Sequence, residues 1–257
     1  MTAPPPEPVP ATVVIPTRLD STRFPRKAMA NDTGRPMVLH VVDRALAARH
    51  VGRVIVTAPD PEILDAVRDA GVEAIPTSFD HPNGTSRLAE VADRLAAELA
   101  PDAVLVNVQG DEPEIDPAAI DAVIAAITRD SEADMATIAS PFGPGEDPAN
   151  PNLVKVVTTT DGRAMYFSRS PIPFDRDGDG VEPLRHVGLY AYRRSFLATF
   201  AAWPESPLER SERLEQLRVL EHGGRIAVGI HATDAGGIDT PAQYEAFVAR
   251  WHARPDA

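Results

Sequence analysis

The chain has 257 residues, a formal net charge of -13 and no cysteine. This acidic balance argues against a nucleic-acid-binding protein, because that function needs a basic surface that displaces counterions from phosphates. The absence of cysteine excludes disulfides and thiolate metal sites, and we therefore expect a cytoplasmic protein rather than a secreted one. No stretch approaches the roughly 20 apolar residues of a membrane-spanning helix, so we expect no membrane insertion.

The N-terminal segment differs in composition from the rest of the chain. Residues 1–11 are rich in proline and lack the basic start and apolar core of a signal peptide, which predicts a disordered tail. Residues 12–252 alternate apolar runs and helical patterns without an internal repeat. We predict a single domain over this range.

The first half of that domain alternates strands and helices. Apolar, β-branched runs predict strands at 11–16, 53–57, 73–77 and 103–108. Patterns with helical spacing predict helices at 36–48, 61–70, 86–99 and 117–127. Strands joined through helices in this way need right-handed crossovers, so the pattern predicts an α/β fold with a doubly wound, mostly parallel sheet.

The second half places short strands close together. These strands are predicted at 134–139, 154–158, 164–167, 187–193 and 226–230. The remaining helices are predicted at 195–203, 206–223 and 240–250. Strands without crossover helices between them are typical of antiparallel pairing, and we expect a smaller antiparallel portion around 154–193.

A basic loop follows the first strand. Residues 18–27 contain four cations in an otherwise acidic chain, and clustered like charges are unfavourable unless a ligand neutralises them. Arg18 and Arg23 can fork onto phosphate oxygens, and Lys27 adds a compact charge beside them. Ser21 offers a hydroxyl group. The loop therefore predicts a site for a small anionic ligand, the alternative being a solvated surface loop.

An acidic turn ends the strand at 103–108, in the run N-V-Q-G-D-E-P of residues 107–113. Ligands of open α/β sheets bind outside the carboxyl ends of the strands. Asp111 is placed there to hold a hard cation such as Mg²⁺, which prefers oxygen ligands and commonly bridges to substrate phosphates. On this stretch alone, a turn that only caps the next helix remains an equal alternative.

Two other polar segments have weaker patterns. Residues 80–87, D-H-P-N-G-T-S-R, could present backbone amides to a base or a phosphate, or simply turn the chain. Residues 175–180, D-R-D-G-D-G, imitate the start of a calcium loop. His186 stands where the closing glutamate of that loop should be, so we interpret the segment as an exposed acidic turn.

Several ordered motifs together resemble the 3-deoxy-manno-octulosonate cytidylyltransferase (CMP-Kdo synthetase) family over residues 12–250. The first motif is I-P-T-R-L-D-S-T-R-F-P-R-K at 15–27. The others are G-R-P-M at 34–37, V-N-V-Q-G-D-E-P at 106–113, P-N-L-V-K-V-V at 151–157, Y-F-S-R-S-P-I-P at 166–173, R-H-V-G-L-Y-A-Y at 185–192, S-P-L-E-R-S-E-R-L-E-Q-L-R at 206–218 and G-G-I-D-T-P at 236–241.

The resemblance implies a reaction and a fold. CMP would pass from CTP to the anomeric hydroxyl of the acid sugar Kdo, with release of diphosphate and with Mg²⁺ as cofactor, for lipopolysaccharide synthesis. The fold would be that of the nucleotide-diphospho-sugar transferases, with the antiparallel portion supporting a homodimer. The alternatives are a cytidylyltransferase for another acid sugar (8-amino-Kdo or a sialic acid), a glycosyltransferase of the same fold, and an inactive binding module.

The resemblance also assigns roles to individual residues. The implied catalytic residues are Lys27, Arg18, Asp111 and Asp239, of which the two aspartates would ligate Mg²⁺. The implied CTP-binding residues are Arg18, Ser21, Arg23, Lys27, Gly84, Arg87 and Gln109. The implied sugar-binding residues are Arg169, His186, Tyr190, Glu215 and Gln216. The chain departs from the family pattern at Arg26, where glycine is usual, and at Asn83 and Ser86, where serine and an acid are usual.

Overall fold

The computed structural model describes residues 10–178, 180–233 and 236–254. Within these residues the strands form one nine-stranded sheet. The strands are β1 (Ala11–Pro16), β2 (Val51–Ala58), β3 (Glu73–Pro76), β4 (Val104–Asn107), β5 (Met135–Pro141), β6 (Lys155–Thr158), β7 (Ala164–Ser168), β8 (Leu184–Arg193) and β9 (Ile226–Ile230). The helices are α1 (Met37–Leu46), α2 (Pro61–Asp69), α3 (Gly84–Arg94), α4 (Pro117–Arg129), α5 (Arg194–Ala202), α6 (Pro207–Glu212), α7 (Leu217–Glu221) and α8 (Pro241–His252).

The sheet has the order β3-β2-β1-β4-β8-β5-β9. The first four strands are parallel to one another, and β9 is parallel to β5. Strand β8 runs antiparallel to both of its neighbours, β4 and β5, while β6 pairs with β7 and β8. The predicted α/β class, the mostly parallel sheet and the smaller antiparallel portion are confirmed.

Alternate residues of the central strands face two separate apolar layers. Val13 and Ile15 are buried against α1, α2 and α4 on one face of the sheet. Val14, between them in sequence, is buried against α3, α5 and α7 on the other face. Both faces of β1 are covered by helices, which explains why its sequence is a continuous apolar run.

The helix predicted over 206–223 is wrong as a single element. The chain forms α6 and then α7, and Arg213 between them has a left-handed backbone with φ 55°. The apolar spacing continues across the break because Leu214 and Leu217 are both buried, so the pattern suggested one helix. The break leaves Glu215 and Gln216 in a turn rather than on a helix face.

The segment before α8 is pinned next to β4. Met37, Ile238, Tyr244 and Phe247 form a small apolar cluster, and the backbone N–H of Ile238 donates to the carbonyl oxygen of Asp111 at 2.8 Å. This arrangement fixes the position of the residue after Ile238 relative to the end of β4.

Some sequence predictions fall partly outside the structure. The predicted tail, 1–11, lies outside the described residues up to residue 9, and Ala11 is the first residue of β1. Asp179 of the acidic turn is also outside them. Among the helices that the structure describes, none has the length and apolar character needed to cross a membrane.

Candidate active site

Four segments meet at the carboxyl edge of β1 and β4 and enclose a cavity of about 340 Å³. They are the basic loop after β1, the turn that leads into α3, the acidic turn after β4, and the segment before α8. All seven residues predicted to bind CTP line this cavity: Arg18, Ser21, Arg23, Lys27, Gly84, Arg87 and Gln109. Asp111 and Asp239, the residues predicted to bind metal, line it as well.

The basic loop is tied to the start of α2. The backbone N–H of Leu19 donates to Asp60 Oδ2 at 2.9 Å, and the backbone N–H of Arg26 donates to the carbonyl of Leu19 at 2.9 Å. Arg26 has φ 60°, a left-handed conformation that glycine adopts without strain. Its guanidinium makes an ion pair with Glu62 on α2, and it therefore points away from Lys27's partners.

Gly110 allows the acidic turn to lie against the basic loop. A Cβ atom at this position would be 2.9 Å from Thr17 Cβ and 3.0 Å from the carbonyl oxygen of Pro16. The first distance is shorter than real Cβ atoms show and the second is tighter than most Cβ contacts, because overlapping atoms repel steeply at such separations. Only glycine lets the two chain segments approach to this distance, so Gly110 fixes the spacing of the basic loop and the acidic turn.

Gly110→Ala is expected to lower the free energy of unfolding by about 1–3 kcal/mol, because the added methyl forces the backbone apart. It should also weaken CTP binding at least tenfold, since the loop moves with it. Urea unfolding and calorimetric titration with CTP measure the two effects. Gly188→Ala is the matched control, because a Cβ there meets nothing within 4 Å; it should change stability by less than about 0.5 kcal/mol. Equal effects at both positions would contradict the close-approach argument.

The ammonium group of Lys27 joins the acidic turn after β4 to the segment before α8. Its Nζ donates to Asp111 Oδ2 at 2.5 Å, to the carbonyl oxygen of Ile238 at 3.0 Å and to Asp239 Oδ1 at 3.3 Å. Arg23 makes a second ion pair with Asp239 at 2.9 Å. The Lys27 side chain is 16% exposed and that of Arg23 is 67% exposed. Lys27 is thus the sheltered cation that contacts both carboxylates.

Helix α3 directs its N-terminus at the cavity. Asn83 caps it, with Oδ1 accepting the N–H of Ser86 at 2.8 Å, and this cap starts the helix two residues earlier than predicted. A Cβ on Gly84 would lie 3.2 Å from Pro16 Cγ, so the helix start lies tightly on the end of β1. Free amides at a helix N-terminus favour anionic ligands.

Arg87 lies behind this turn and is almost fully buried. Its Nη1 donates to Thr77 Oγ1 at 2.5 Å and to the carbonyl oxygen of Ser78 at 2.9 Å. Burial lowers the pKa of the Arg87 guanidinium, and the nearby charge of Arg18 adds to the effect. Arg87 therefore braces the connection between β3 and α3 from the cavity wall.

Three residues predicted to bind sugar form a partly buried group next to the cavity, in which Gln216 is the most buried side chain. The rings of His186 and Tyr190 lie with centroids 5.6 Å apart, and Tyr190 Oη donates to Gln216 Oε1 at 3.2 Å. His186 Nε2 contacts Thr137 Oγ1 at 2.9 Å. Burial lowers the pKa of His186 to about 3 and raises the pKa of Tyr190. Both side chains are therefore neutral at pH 7.

Glu215 links this group to the cavity wall. Its two carboxylate oxygens accept hydrogen bonds from Asn83 Nδ2 and Thr85 Oγ1, each at 2.9 Å. Burial raises the pKa of Glu215, and the hydrogen bond from Thr85 acts in the opposite direction. The turn between α6 and α7 is in this way attached to the start of α3.

Two buried carboxamide atoms in this region have no hydrogen-bond partner in the part of the chain that the structure describes. They are Oδ1 of Asn107 and Nε2 of Gln216. Asn107 lies opposite Tyr190 in the β4–β8 pairing. A buried polar atom without a partner is unfavourable by about 1–3 kcal/mol. A polar ligand in this region can offset that penalty if the surrounding side chains rearrange to form hydrogen bonds with it.

Arg169, the fifth residue predicted to bind sugar, has its guanidinium on main-chain oxygens. It donates to the carbonyls of Glu212 at 2.5 Å, Pro151 at 2.9 Å and Arg213 at 3.3 Å. The left-handed turn at Arg213 presents two of these carbonyls, which the sequence pattern did not indicate. In this structure Arg169 connects these main-chain segments to one another, and its role toward the sugar stays a prediction.

The model of a protein family described as cytidylyltransferase matches residues 12–226. The chain belongs to the cytidylyltransferase family. A relative from Geobacter sulfurreducens, named 3-deoxy-manno-octulosonate cytidylyltransferase, is 47% identical over 245 residues, which are 91% of this chain and 96% of the relative. A relative of the same name from Leptothrix cholodnii is 48% identical over 243 residues, 91% of this chain and 89% of the relative.

Solved structures of cytidylyltransferases are also similar to this one. The structure of CMP:2-keto-3-deoxy-manno-octonic acid synthetase complexed with CTP has a TM-score of 0.86 and 40% identity, and the match covers 94% of this chain and 98% of the other. A cytidylyltransferase from Leptospira borgpetersenii has a TM-score of 0.59 at 13% identity, over 94% and 86% of the two chains. The second likeness concerns the fold alone.

The carboxylate pair of this cytidylyltransferase has the oxygen donors that Mg²⁺ prefers. Asp111 and Asp239 already hold one cation between them, the ammonium of Lys27. Mg²⁺ usually takes one or two carboxylates and completes its shell with water and substrate phosphates. The described residues include no group of three or more His, Cys, Asp or Glu that could hold a metal. The donor set fits Mg²⁺ bound together with a nucleotide.

Sequence reasoning missed several residues of this site. Asp60 anchors the basic loop, and Asn83 and Thr85 hold Glu215. The only signal was the position of Asp60 and Asn83 just before helices, which indicates a cap and not a contact with a distant loop. Beside the site, burial, followed by the charge of Asp111, raises the pKa of Glu112 to about 8, so it is largely protonated at pH 7.

Proposed function

We propose that this chain is a cytoplasmic 3-deoxy-manno-octulosonate cytidylyltransferase, which transfers CMP from CTP to the anomeric hydroxyl of Kdo for lipopolysaccharide synthesis. The observation that carries the proposal is the shared contact of Lys27 with Asp111 and Asp239 in a cavity lined by all the residues predicted to bind CTP. Similarity to a synthetase solved with CTP, and to relatives named for this activity, supports the same assignment.

The reaction places few covalent demands on the protein. The anomeric hydroxyl loses its proton to water and its oxygen forms a bond to the α-phosphorus, while the bond from that phosphorus to the α–β bridging oxygen breaks and diphosphate leaves. Catalysis then depends on alignment and on neutralising charge. Arg18 and Arg23 would hold the triphosphate by paired hydrogen bonds. Lys27 would place its ammonium where negative charge grows on the phosphate oxygens.

The proposed metal ligands are Asp111 and Asp239. Mg²⁺ held there would supply positive charge to the phosphate oxygens. The chain itself orients these ligands, because the Ile238–Asp111 main-chain bond fixes one carboxylate beside the other.

The proposed sugar site is the partly buried polar group next to the cavity. Neutral His186, Tyr190 and Gln216 can exchange hydrogen bonds with hydroxyl groups, and Glu215 can accept them. Arg169 would bind the sugar carboxylate after exchanging one of its carbonyl partners. An uncharged imidazole in this position suits a sugar hydroxyl better than a carboxylate, which leaves the carboxylate to the arginine.

The proposal predicts a preference among acid sugars. Diphosphate release from CTP should be fastest with Kdo, with kcat/KM at least tenfold above that for 8-amino-Kdo or a sialic acid. Enzyme-coupled measurement of diphosphate with each sugar gives the comparison. Preference for another acid sugar would reassign the acceptor, and failure to release diphosphate from CTP with any of them would contradict cytidylyl transfer. A glycosyltransferase of this fold would instead consume a nucleotide sugar.

We further propose a homodimer formed through the antiparallel portion around 154–193. Met165, Phe174 and Val181 are 60%, 86% and 64% exposed there, and large apolar side chains of this kind are enriched in interface cores. Sedimentation at micromolar concentration should show a dimer. Phe174→Asp should shift it toward monomer, whereas Phe79→Asp, at an apolar residue 70% exposed elsewhere, should not. A monomeric wild-type protein would contradict the dimer.

A further inference from the structure

We propose that Lys27 is an internal counter-cation that keeps the Asp111–Asp239 pair closed to free divalent cations until a triphosphate draws its ammonium away. The inference rests on the proposed function for the identity of the triphosphate. Its first part, exclusion of a free metal ion, rests only on the contacts of Lys27 with the two carboxylates.

The space between the carboxylates is already filled by positive charge. Lys27 Nζ lies 2.5 Å from Asp111 and 3.3 Å from Asp239, and the carbonyl oxygen of Ile238 holds it at 3.0 Å. Mg²⁺ binds oxygen at 2.0–2.1 Å. A metal ion held by the same carboxylates would therefore lie close to the ammonium, in a site where both are partly shielded from water and repel strongly. The metal ion and the ammonium compete for the pair.

The ammonium can leave without moving the backbone of the loop. The main-chain atoms of Lys27 are held by the carbonyl of Phe24 at 3.3 Å and the N–H of Ala30 at 3.1 Å. Its side chain lines the cavity together with Arg18 and Arg23. Only side-chain torsions have to change for Nζ to move from carboxylate oxygens to phosphate oxygens in the same cavity.

This exchange couples the two ligands. A triphosphate that takes up the ammonium frees the carboxylates, so nucleotide raises the affinity for metal. By thermodynamic linkage, metal must raise the affinity for nucleotide by the same factor. Lys27 thereby makes metal and nucleotide enter together, and free metal alone binds weakly.

The first test measures binding of Mn²⁺ alone, in the absence of nucleotide, by electron paramagnetic resonance of the unbound ion. Lys27→Met, which keeps a long side chain, should bind Mn²⁺ at least tenfold more tightly than the wild type, and Lys27→Ala should behave in the same way. Arg18→Met is the matched control: it removes one positive charge from the same loop at a residue without an ion pair to either carboxylate in the described structure. It should change the affinity less than threefold.

A double variant shows where the gained ion binds. Adding Asp111→Asn to Lys27→Met should abolish the gain. The proposal is overturned if Lys27→Met binds Mn²⁺ no more tightly than the wild type, or if Arg18→Met gives the same gain. These outcomes are independent of turnover, so a protein that fails to use CTP and Kdo would still test the exclusion of metal by Lys27.

The second test follows the ammonium itself. The chain has only two lysines, Lys27 and Lys155, so protein labelled with ε-¹³C-lysine gives two resolvable signals. Lys155 is fully buried and donates to the carbonyls of Leu153 at 2.7 Å and Asn150 at 3.2 Å, which makes it an internal control. Mg²⁺ alone at about 1 mM should leave both signals unchanged, because it competes only weakly with the ammonium for the carboxylates. Mg²⁺ together with CTP should shift only the signal of Lys27. A shift of the Lys27 signal with Mg²⁺ alone would overturn the proposal.

Discussion

Asp111→Asn and Asp239→Asn are each expected to lower turnover by about 10³ or more, because each removes a carboxylate that we propose as a Mg²⁺ ligand. The substitution changes side-chain volume little, so the fold should be retained. Turnover at saturating CTP and Kdo, measured over a range of Mg²⁺ concentrations, gives the effect, and circular dichroism checks the fold.

The control for these variants is an acid that the cavity does not use. Asp93 is exposed on α3, and Asp93→Asn should keep turnover within about twofold of the wild type, as surface substitutions usually do. A wild-type rate at limiting Mg²⁺ for Asp111→Asn or Asp239→Asn would remove that residue from the proposed ligand set.

Lys27→Ala is expected to lower turnover by about 10²–10³ at saturating CTP, the loss typical of one preorganised charge-stabilising donor. The ammonium matters most as charge develops on the phosphate oxygens, so turnover should fall more than CTP affinity. The same substitution should tighten the binding of free metal, so turnover should fall while metal affinity rises. Single-turnover CMP transfer with saturating CTP measures the first.

Arg26 does not replace Lys27 in this role. Its guanidinium pairs with Glu62 on α2, and Arg26→Gly keeps the left-handed backbone at that position. The glycine variant should therefore retain most of the single-turnover rate. If Lys27→Ala keeps its rate and only binds CTP more weakly, Lys27 is an anchor for the triphosphate and has no catalytic role.

The parallel half of the sheet could be predicted because its signals are local. Each strand of that half is an apolar run bounded by polar turns, and β1, β2 and β4 begin and end within two residues of the predicted positions. Lys27 and Asp111 are in contact because loops at the carboxyl ends of parallel strands meet at one edge.

The rest depends on contacts between distant segments. No local pattern places β8 between β4 and β5, or sets Asn107 opposite Tyr190. The break at Arg213 was hidden because apolar spacing continues across it, and the carbonyls that hold Arg169 come from that break. The sugar group was named only through the family resemblance, because an isolated His, Tyr or Glu in a sequence carries little information about a site.

The β4–β8 pairing lies between the proposed triphosphate site and the proposed sugar site. On one side, β1 to β4 and their loops carry most of the proposed triphosphate site; on the other, β8 and the turn after α6 carry the proposed sugar site. The two sides meet in a ladder of four residue pairs, with β8 reversed relative to β4. Glu215 ties the two sides together, because it accepts hydrogen bonds from Asn83 and Thr85 at the start of α3. Laboratory evolution toward new sugars should therefore start from β8 and keep Glu215, because a change there would also alter the start of α3 at the wall of the cavity.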